Sequence, residues 1–436
     1  MENARKTAVK LLCRIDGSSS YSNILLDEHF SRSQLDAQGK KFCAALFYGT
    51  LERRLTLDEI IKSYSAKPAD KLNPEVRNIL RTALYQILYM NSVPESAAVN
   101  EAVKLAAKNR NPAVKGYVNG LLRAFLRADK KLPQQKNPLE KLAFEYSCPL
   151  PLVKKWAQEY GRQTAEQMLA TSLGRPPVTA MVNTTLTTPE ALCEELRAEG
   201  FGAEVNAHFA DCVNIAGASP ESAEAFKKGL FHVQDISSRI CCGALGAQAG
   251  ETVLDLCAAP GGKSFTIAEL MGGRGELMAF DLHKNRVRLI AGGAKRLGLG
   301  CITAAENDAK AFNESLPMAD RVLCDVPCSG LGVIRRKPEI KYKDLAEFDR
   351  LPEVQYKILE TSAGYVKQGG VLQYSTCTLS RAENDEVADR FLREHPEFEP
   401  APLGEAAKQF GGECRLTVLP SYFDSDGFFI AKFVRR

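Results

Sequence analysis

Val253-Leu254-Asp255-Leu256-Cys257-Ala258-Ala259-Pro260-Gly261-Gly262-Lys263-Ser264 decides how the rest of the chain is read. An apolar run ends in a carboxylate, passes through a turn of small residues, and opens at Phe265 to Leu270 into a helical pattern. That order describes the first strand, ligand loop and first helix of a doubly wound sheet. Pro260, Gly261 and Gly262 permit a tight turn and close approach of a ligand to the backbone. The loop has no G-x-G-x-x-G. It misses the phosphate-loop pattern G-x-x-x-x-G-K-[ST] by one residue, because Cys257 stands where the first glycine belongs. Taken alone it calls for a nucleotide-like ligand and leaves a nucleoside triphosphate in play.

From the loop toward the C-terminus, strand and helix patterns alternate. Leu277 to Asp281 reads as a second strand and Arg286 to Leu297 as its helix. Ile302 to Ala305 is a short third strand ending at Asn307-Asp308, and Arg321 to Asp325 is a fourth. A long helical region to about Lys367 follows, then a fifth strand, Gly370 to Ser375. A late strand, Gly427 to Phe433, pairs as a hairpin with Leu416 to Leu419. The pattern predicts an α/β, doubly wound, Rossmann-like domain over 236–436, its sheet parallel and its helices on both faces.

Before the loop the chain differs. Residues 1–135 carry helical stripes, such as Val76, Ile79, Leu80, Ala83, Leu84 and Ile87 after the start signal Asn73-Pro74. They predict an all-helical domain. Prolines 133, 138, 149 and 151 mark a linker. Residues 145–235 mix a strand, Pro177 to Asn183, with a capped helix start at Thr188-Pro189-Glu190, and predict a small α+β subdomain.

The 436 residues exceed one ordinary core, and 45% hydrophobic with 25% charged residues is ordinary globular composition. No apolar run approaches the roughly 18 residues of a membrane span, and Met1 to Lys6 lacks the apolar core of a signal peptide. A cytoplasmic protein is expected. Thirteen scattered cysteines argue for reduced thiols rather than a disulfide framework. Cys324 and Cys328 lack the second pair a structural zinc site needs, so no metal is expected. Residues 1–140 hold 23 basic and 14 acidic side chains, a net of +9 within a chain of net +4. Lys104 to Lys136 contains nine basic residues against Asp129 alone. Such a cluster favours a polyanion, most simply nucleic acid, although a solvated helix face explains a single cluster equally well.

Ligands of open α/β sheets sit at the carboxyl ends of the strands. Asp281 lies about 20 residues beyond the glycine loop, where an acidic side chain accepts from ribose hydroxyls. Asp308 can accept from an adenine amino group. One such carboxylate is readily a helix cap; acidic residues at successive strand ends are harder to explain that way. Cys328 and Cys377 follow the fourth and fifth strands, neighbours in such a sheet, so both thiols can face one crevice. Strand-end loops give access, and Lys263 can stabilise a thiolate. Adjacent Cys241 and Cys242 read as inert small hydrophobes.

These residues carry a resemblance. Asp255-x-Cys257-Ala258-Ala259-Pro260-Gly261-Gly262-Lys263, Asp325-x-Pro327-Cys328-Ser329 and Thr376-Cys377-Thr378 resemble the RNA cytosine-5 methyltransferases. Gly332 to Pro338 and Asp426 to Lys432 extend the likeness, and Val326 departs from the alanine usual in that family. Lys115 to Arg123 is similar to the NusB-like RNA-binding domain of the bacterial Sun/Fmu-type enzymes, which methylate 16S ribosomal RNA. The resemblance implies S-adenosyl-L-methionine as cofactor, its methionine part wrapped by 257–263, its ribose at Asp281 and its adenine at Asp308, with Asp325 also lining the site. It implies methylation at C5 of a specific cytosine, of the cytosine 967 type, through a covalent cysteine–C6 adduct. Cys377 is then the nucleophile, Cys328 assists release, Asp325 meets the base near N3, and Lys263 orients Asp325. The implied partner is 16S rRNA, naked or in a partly assembled small subunit, with no membrane and no DNA. Two other readings differ in kind. A nucleoside-triphosphate hydrolase would put Lys263 and Ser264 on phosphate and magnesium but leaves Cys377 unexplained. A non-catalytic RNA-binding protein would use only the basic front domain.

Overall fold

Asparagine and proline punctuate the front of the chain, and its helices follow that punctuation. The computed structural model describes residues 2–17, 21–404, 407 and 413–436. By compactness the chain divides into two units, 1–174 with 334–345, and 175–333 with 346–436.

In the first unit, Asn73 Oδ1 accepts from Glu75 N at 2.9 Å and Pro74 occupies the first turn of helix Pro74–Tyr89. Asparagine satisfies one orphan donor, and proline gives up an N–H that had no partner to lose. The stripe Val76, Ile79, Leu80, Ala83 and Leu84 is buried against Leu57, Ile60 and Ile61 of helix Arg54–Tyr64 and Val118, Leu121, Leu122 and Phe125 of helix Ala113–Arg127. Each fully buried Val, Leu, Ile or Phe side chain among them contributes roughly 1.5–3 kcal/mol. The same helix carries buried Arg81, whose guanidinium bonds both Asp58 oxygens at 2.6 Å and Asp16 at 2.9 Å. A buried cation is tolerated there because its donors are met.

Residues 334–345 belong to this unit although their sequence neighbours belong to the other. Glu339 accepts from Ser22 N at 2.8 Å, Lys341 Nζ donates to Glu52 O at 2.8 Å, and Arg54 lies 4.6 Å over the Tyr342 ring. The long helical region expected between Asp325 and Lys367 is therefore corrected. It consists of an irregular loop, two short 3-10 turns at Pro338–Tyr342 and Leu345–Phe348, and a helix only at Leu351–Ala363. Contacts with helices distant in sequence, rather than local periodicity, order this stretch.

The second unit holds two sheets. Strands β1 (Val178–Val182), β2 (Gly202–Val205), β3 (Cys212–Ala216) and β4 (Phe231–Val233) form an antiparallel sheet in the order β2-β3-β1-β4. Helix Pro189–Ala198, capped by Thr188, buries Leu192, Cys193 and Leu196 in the same core. The larger sheet contains β5 (Thr252–Asp255), β6 (Glu276–Asp281), β7 (Ile302–Glu306), β8 (Ala319–Asp325), β9 (Val366–Thr376), β10 (Phe398–Pro400), β11 (Arg415–Val418) and β12 (Phe428–Arg435). Their order is β10-β12-β9-β8-β5-β6-β7, with β11 on β12. Strands β5 to β9 are mutually parallel, as the alternation predicts. The sheet as a whole is mixed, because β12 returns antiparallel to β9 and pairs β10 and β11 likewise. From β5 the chain runs outward through β6 and β7, then crosses back to place β8 on the other side of β5. The loops after β5 and β8 thus flank the point where strand order reverses, where open α/β sheets form their crevice.

Candidate active site

Asp255 ends β5 fully buried, and Ser264 Oγ donates to its Oδ2 at 2.7 Å. Burial pushes this carboxyl up to about 7, against the opposing hydrogen bond from Ser264. Gly261, at φ +114°, is needed for close approach: a Cβ there would lie 2.4 Å from Phe265 Cζ. Arg286 ties loop to strand, donating to Ala259 O at 2.8 Å while pairing with Asp281 Oδ2 at 2.9 Å. Asp281 also accepts from His283 N at 3.0 Å. Ala258 N donates to Phe280 O at 2.7 Å. Cys257, Ala258, Ala259, Pro260, Gly261 and Gly262 therefore run past the end of β6 toward Lys263. Asp308, partly exposed beyond β7, lies near Lys310, 4.0 Å away.

Beside this half, β8 and β9 pair so that Asp325 faces Ser375. Asp325 Oδ2 accepts from Lys263 Nζ at 2.7 Å and Oδ1 from Ser375 Oγ at 2.9 Å. Burial opposes the Lys263 charge, but Asp325 outweighs it and holds the ammonium above the usual lysine range. The ammonium also sits 4.9 Å over the Phe428 ring. These bonds weaken the phosphate-loop reading: the Lys263 charge is engaged by a carboxylate, and the Ser264 hydroxyl by Asp255.

Cys328 Sγ lies 3.3 Å from Cys377 Sγ. The bond shared with Cys377, then burial, pushes the Cys328 thiol well above the ordinary thiol range. Gly332 holds the Cys328 loop down, its N donating to Cys377 O at 3.1 Å and its O accepting from Gly427 N at 2.8 Å. A Cβ on Gly332 would come within 2.0 Å of Gly427 O. Val326 is buried, and its N donates to Ser375 O at 3.1 Å. Cys241 and Cys242 are fully buried, and burial pushes Cys241 up to about 12, as suits inert thiols. Among the described residues, no three His, Cys, Asp or Glu side chains group as a metal ion requires.

The structure thus brings Lys263, Asp325, Cys328 and Cys377 to adjoining strand ends, with Asp281 on the far side of the glycine loop. Asp308 stands further out, beyond β7. Sequence reasoning missed Arg286 and the buried pair Glu383-Asn384, and it gave no role to Ser375 or Phe428, although both lie in stretches it singled out. Arg286, Glu383 and Asn384 sit in no pattern that marks chemistry; each is found only through its contacts.

In the first unit the basic residues Lys104, Lys108, Arg110, Lys115, Arg123, Arg127, Lys131 and Lys136 are exposed. Lys130 pairs with Glu95 at 2.9 Å. No helix among the described residues is long and apolar enough to cross a membrane.

Comparison with known proteins gives the family. Residues 242–434 match the family described as 16S rRNA methyltransferase RsmB/F, residues 2–127 the NusB family, and residues 148–221 the ferredoxin-like domain of RsmF/B-like methyltransferases. Over its whole length the chain is 40% identical to the probable ribosomal RNA small subunit methyltransferase B of Bacillus subtilis (strain 168), covering 99% of that protein. It is 35% identical over 99% of its length to the corresponding protein of Synechocystis sp. (strain ATCC 27184 / PCC 6803 / Kazusa), again covering 99% of it. The crystal structure of PH0851 superimposes with a TM-score of 0.83 at 26% identity, covering 100% of this chain and 99% of that one. Methyltransferases of this kind take their methyl group from S-adenosyl-L-methionine. The ends of β5 to β7 fit that group: Asn307 Nδ2 is buried with no partner, as is Asp255 Oδ1, and Asp281 keeps acceptor positions beyond the two in use. The chain belongs to the RsmB/F family of 16S rRNA methyltransferases.

Proposed function

We propose that this enzyme methylates C5 of one cytosine in 16S rRNA, of the cytosine 967 type, through a covalent adduct between Cys377 and C6 of the base. The observation that carries the reading is the pair of thiols 3.3 Å apart beside the Lys263–Asp325 ion pair. Bound S-adenosyl-L-methionine supplies an electrophilic methyl group. C5 of cytosine is too weak a nucleophile to take it unaided. Addition of the Cys377 thiolate to C6 turns C5 into an enamine-like carbon. Asp325, oriented by Lys263 and Ser375, carries a proton to N3 and so offsets the negative charge that develops in the adduct. After the methyl group has passed to C5, transfer of the C5 proton to solvent water lets the Cys377 thiolate leave. Cys328, whose sulfur lies 3.3 Å from that of Cys377, hydrogen-bonds the departing sulfur and assists release. Residues 257–263 hold the methionine part, Asp281 the ribose and Asp308 the adenine.

The target base has to leave its stack to reach the pocket, which suits a loop or single-stranded segment. In this reading residues 1–135 and 145–235 position the RNA, the exposed basic residues through phosphate contacts, and 236–436 perform the chemistry. The enzyme works in the cytoplasm. Bisulfite sequencing of 16S rRNA from a strain lacking the protein tests the proposal. One cytosine should lose its protection; an unchanged pattern overturns C5 methylation, and a loss elsewhere than position 967 moves the site. Transfer to naked transcript and to partly assembled subunits, measured side by side, identifies the substrate form.

A further inference from the structure

Glu383 is a carboxylate with 2% exposure, six residues past Cys377, and the chemistry above does not use it. An ionised carboxylate is buried only where donors meet it. Here they converge from the loop of the other cysteine. Ser329 N donates to Oε2 at 2.9 Å, Ser329 Oγ to Oε1 at 2.6 Å, and Gln355 Nε2 to Oε2 at 3.0 Å. Gln355 Nε2 also reaches Pro327 O at 3.0 Å, so the residues on both sides of Cys328 are held. Since the Ser329 hydroxyl donates to Glu383, the Thr378 hydroxyl, 2.6 Å away, donates to Ser329. Asn384 completes the arrangement, accepting from Thr376 Oγ1 at 2.6 Å and donating to Thr378 O at 2.9 Å. The residues following the two cysteines are thus bonded to each other and to consecutive residues at one helix start.

We infer that Glu383 is a positioning residue that fixes the Cys328 loop against Cys377, and so sets the step at which the second thiol acts. The inference rests on the roles proposed above for the two thiols. Cys377 directly follows β9, a strand held by β8 and β12 on either side, whereas Cys328 lies in an irregular loop whose neighbours depend on Glu383. Loss of the carboxylate therefore falls on release of the adduct more than on its formation. An isosteric amide has one acceptor oxygen for donors arriving on both sides, so Glu383→Gln loosens the loop without a change of volume.

The test uses the full chain as wild type, Glu383→Gln, Ser329→Ala and Cys328→Ser. Four readouts are needed: melting temperature, kcat and KM for S-adenosyl-L-methionine, covalent protein–RNA complex on denaturing gels, and the pH dependence of Cys328 alkylation by iodoacetamide, followed by peptide mass spectrometry. Glu383→Gln should lower kcat about tenfold, leave KM within about twofold, accumulate covalent complex, and move Cys328 alkylation to lower pH because a nearby negative charge is gone. Wild-type kcat, or a lower kcat with an unchanged alkylation profile, overturns the inference. If Glu383→Gln does not fold, Ser329→Ala, which removes one donor and keeps the carboxylate, should still lower kcat with KM kept and accumulate covalent complex, and a wild-type kcat there overturns the inference. If Cys328→Ser accumulates no complex, the proposed release role fails. The alkylation profile and kcat of Glu383→Gln still decide whether Glu383 positions the loop.

Discussion

The two halves of the crevice are built on opposite plans. At the ends of β5 to β7, polar atoms are left to be completed: Asn307 Nδ2 and Asp255 Oδ1 are buried without partners, and Asp308 is partly exposed. At the ends of β8 and β9 the bonds are already made. Asp325 is bonded from both sides, and Ser329, Thr378, Glu383 and Asn384 satisfy one another. Under the proposed mechanism the difference follows what each half must do. A bound cofactor brings its own donors and acceptors, so its half can wait for them. Reacting groups have to stand in place before charge develops, and a prebuilt network does that at no cost during the reaction.

The largest expected effect comes from breaking the prebuilt half at its proposed nucleophile. Cys377→Ser should abolish both methyl transfer from labelled cofactor and the covalent complex, with cofactor affinity by calorimetry unchanged; retained transfer would remove the nucleophile from its role. Cys328→Ser should stop turnover while covalent complex builds up as a shifted gel band. A variant that binds RNA and cofactor yet shows no such band would contradict the release role. Lys263→Met leaves Asp325 without its cation, and kcat should fall roughly 10²–10³-fold. A change confined to KM would instead make Lys263 a binding group. On the unfinished half, Asp281→Asn should act through affinity, weakening cofactor binding about 10- to 100-fold with kcat at saturation nearly kept. A collapse of kcat at saturation would erase the contrast between the halves.

A separate effect, on stability rather than on catalysis, concerns Asp255, whose carboxyl burial raises to about 7 from an ordinary 3.8. Below pH about 4 both folded and unfolded chains carry the neutral acid. As pH rises toward 7 the unfolded chain ionises first, so stability is lost across that window and fully lost above it, by up to roughly 4 kcal/mol. Asp255→Asn cannot ionise. Cofactor-free protein melted between pH 4 and 8 should show a steeper decline for wild type than for the variant. Parallel curves would mean that Asp255 is ionised throughout.

Much of the site was legible because loop chemistry is local. The turn at Pro260-Gly261-Gly262 and the acids Asp281 and Asp308 all sit at strand ends that hydrophobic patterning locates. The two cysteines became legible as a pair only because adjoining strands were expected to carry them. Residues 334–345 were not legible, since the contacts that order them come from helices about 200 to 300 positions away. Glu383 escaped notice for a related reason. An acidic residue six positions after a cysteine looks like solvent-facing charge until its donors are seen.

The sequence by itself determined the order of strands and helices, the ligand loop and the residue types able to form an adduct, because these depend on periodicity and on neighbours in the chain. Only the tertiary structure decided that β8 crosses back beside β5, that Lys263 and Asp325 close to 2.7 Å, and that Cys328 and Cys377 stand 3.3 Å apart. Those facts depend on which strands pair and on which buried polar groups find each other. Pairing and burial are settled by the packing of the whole unit, and no local stretch of sequence contains them.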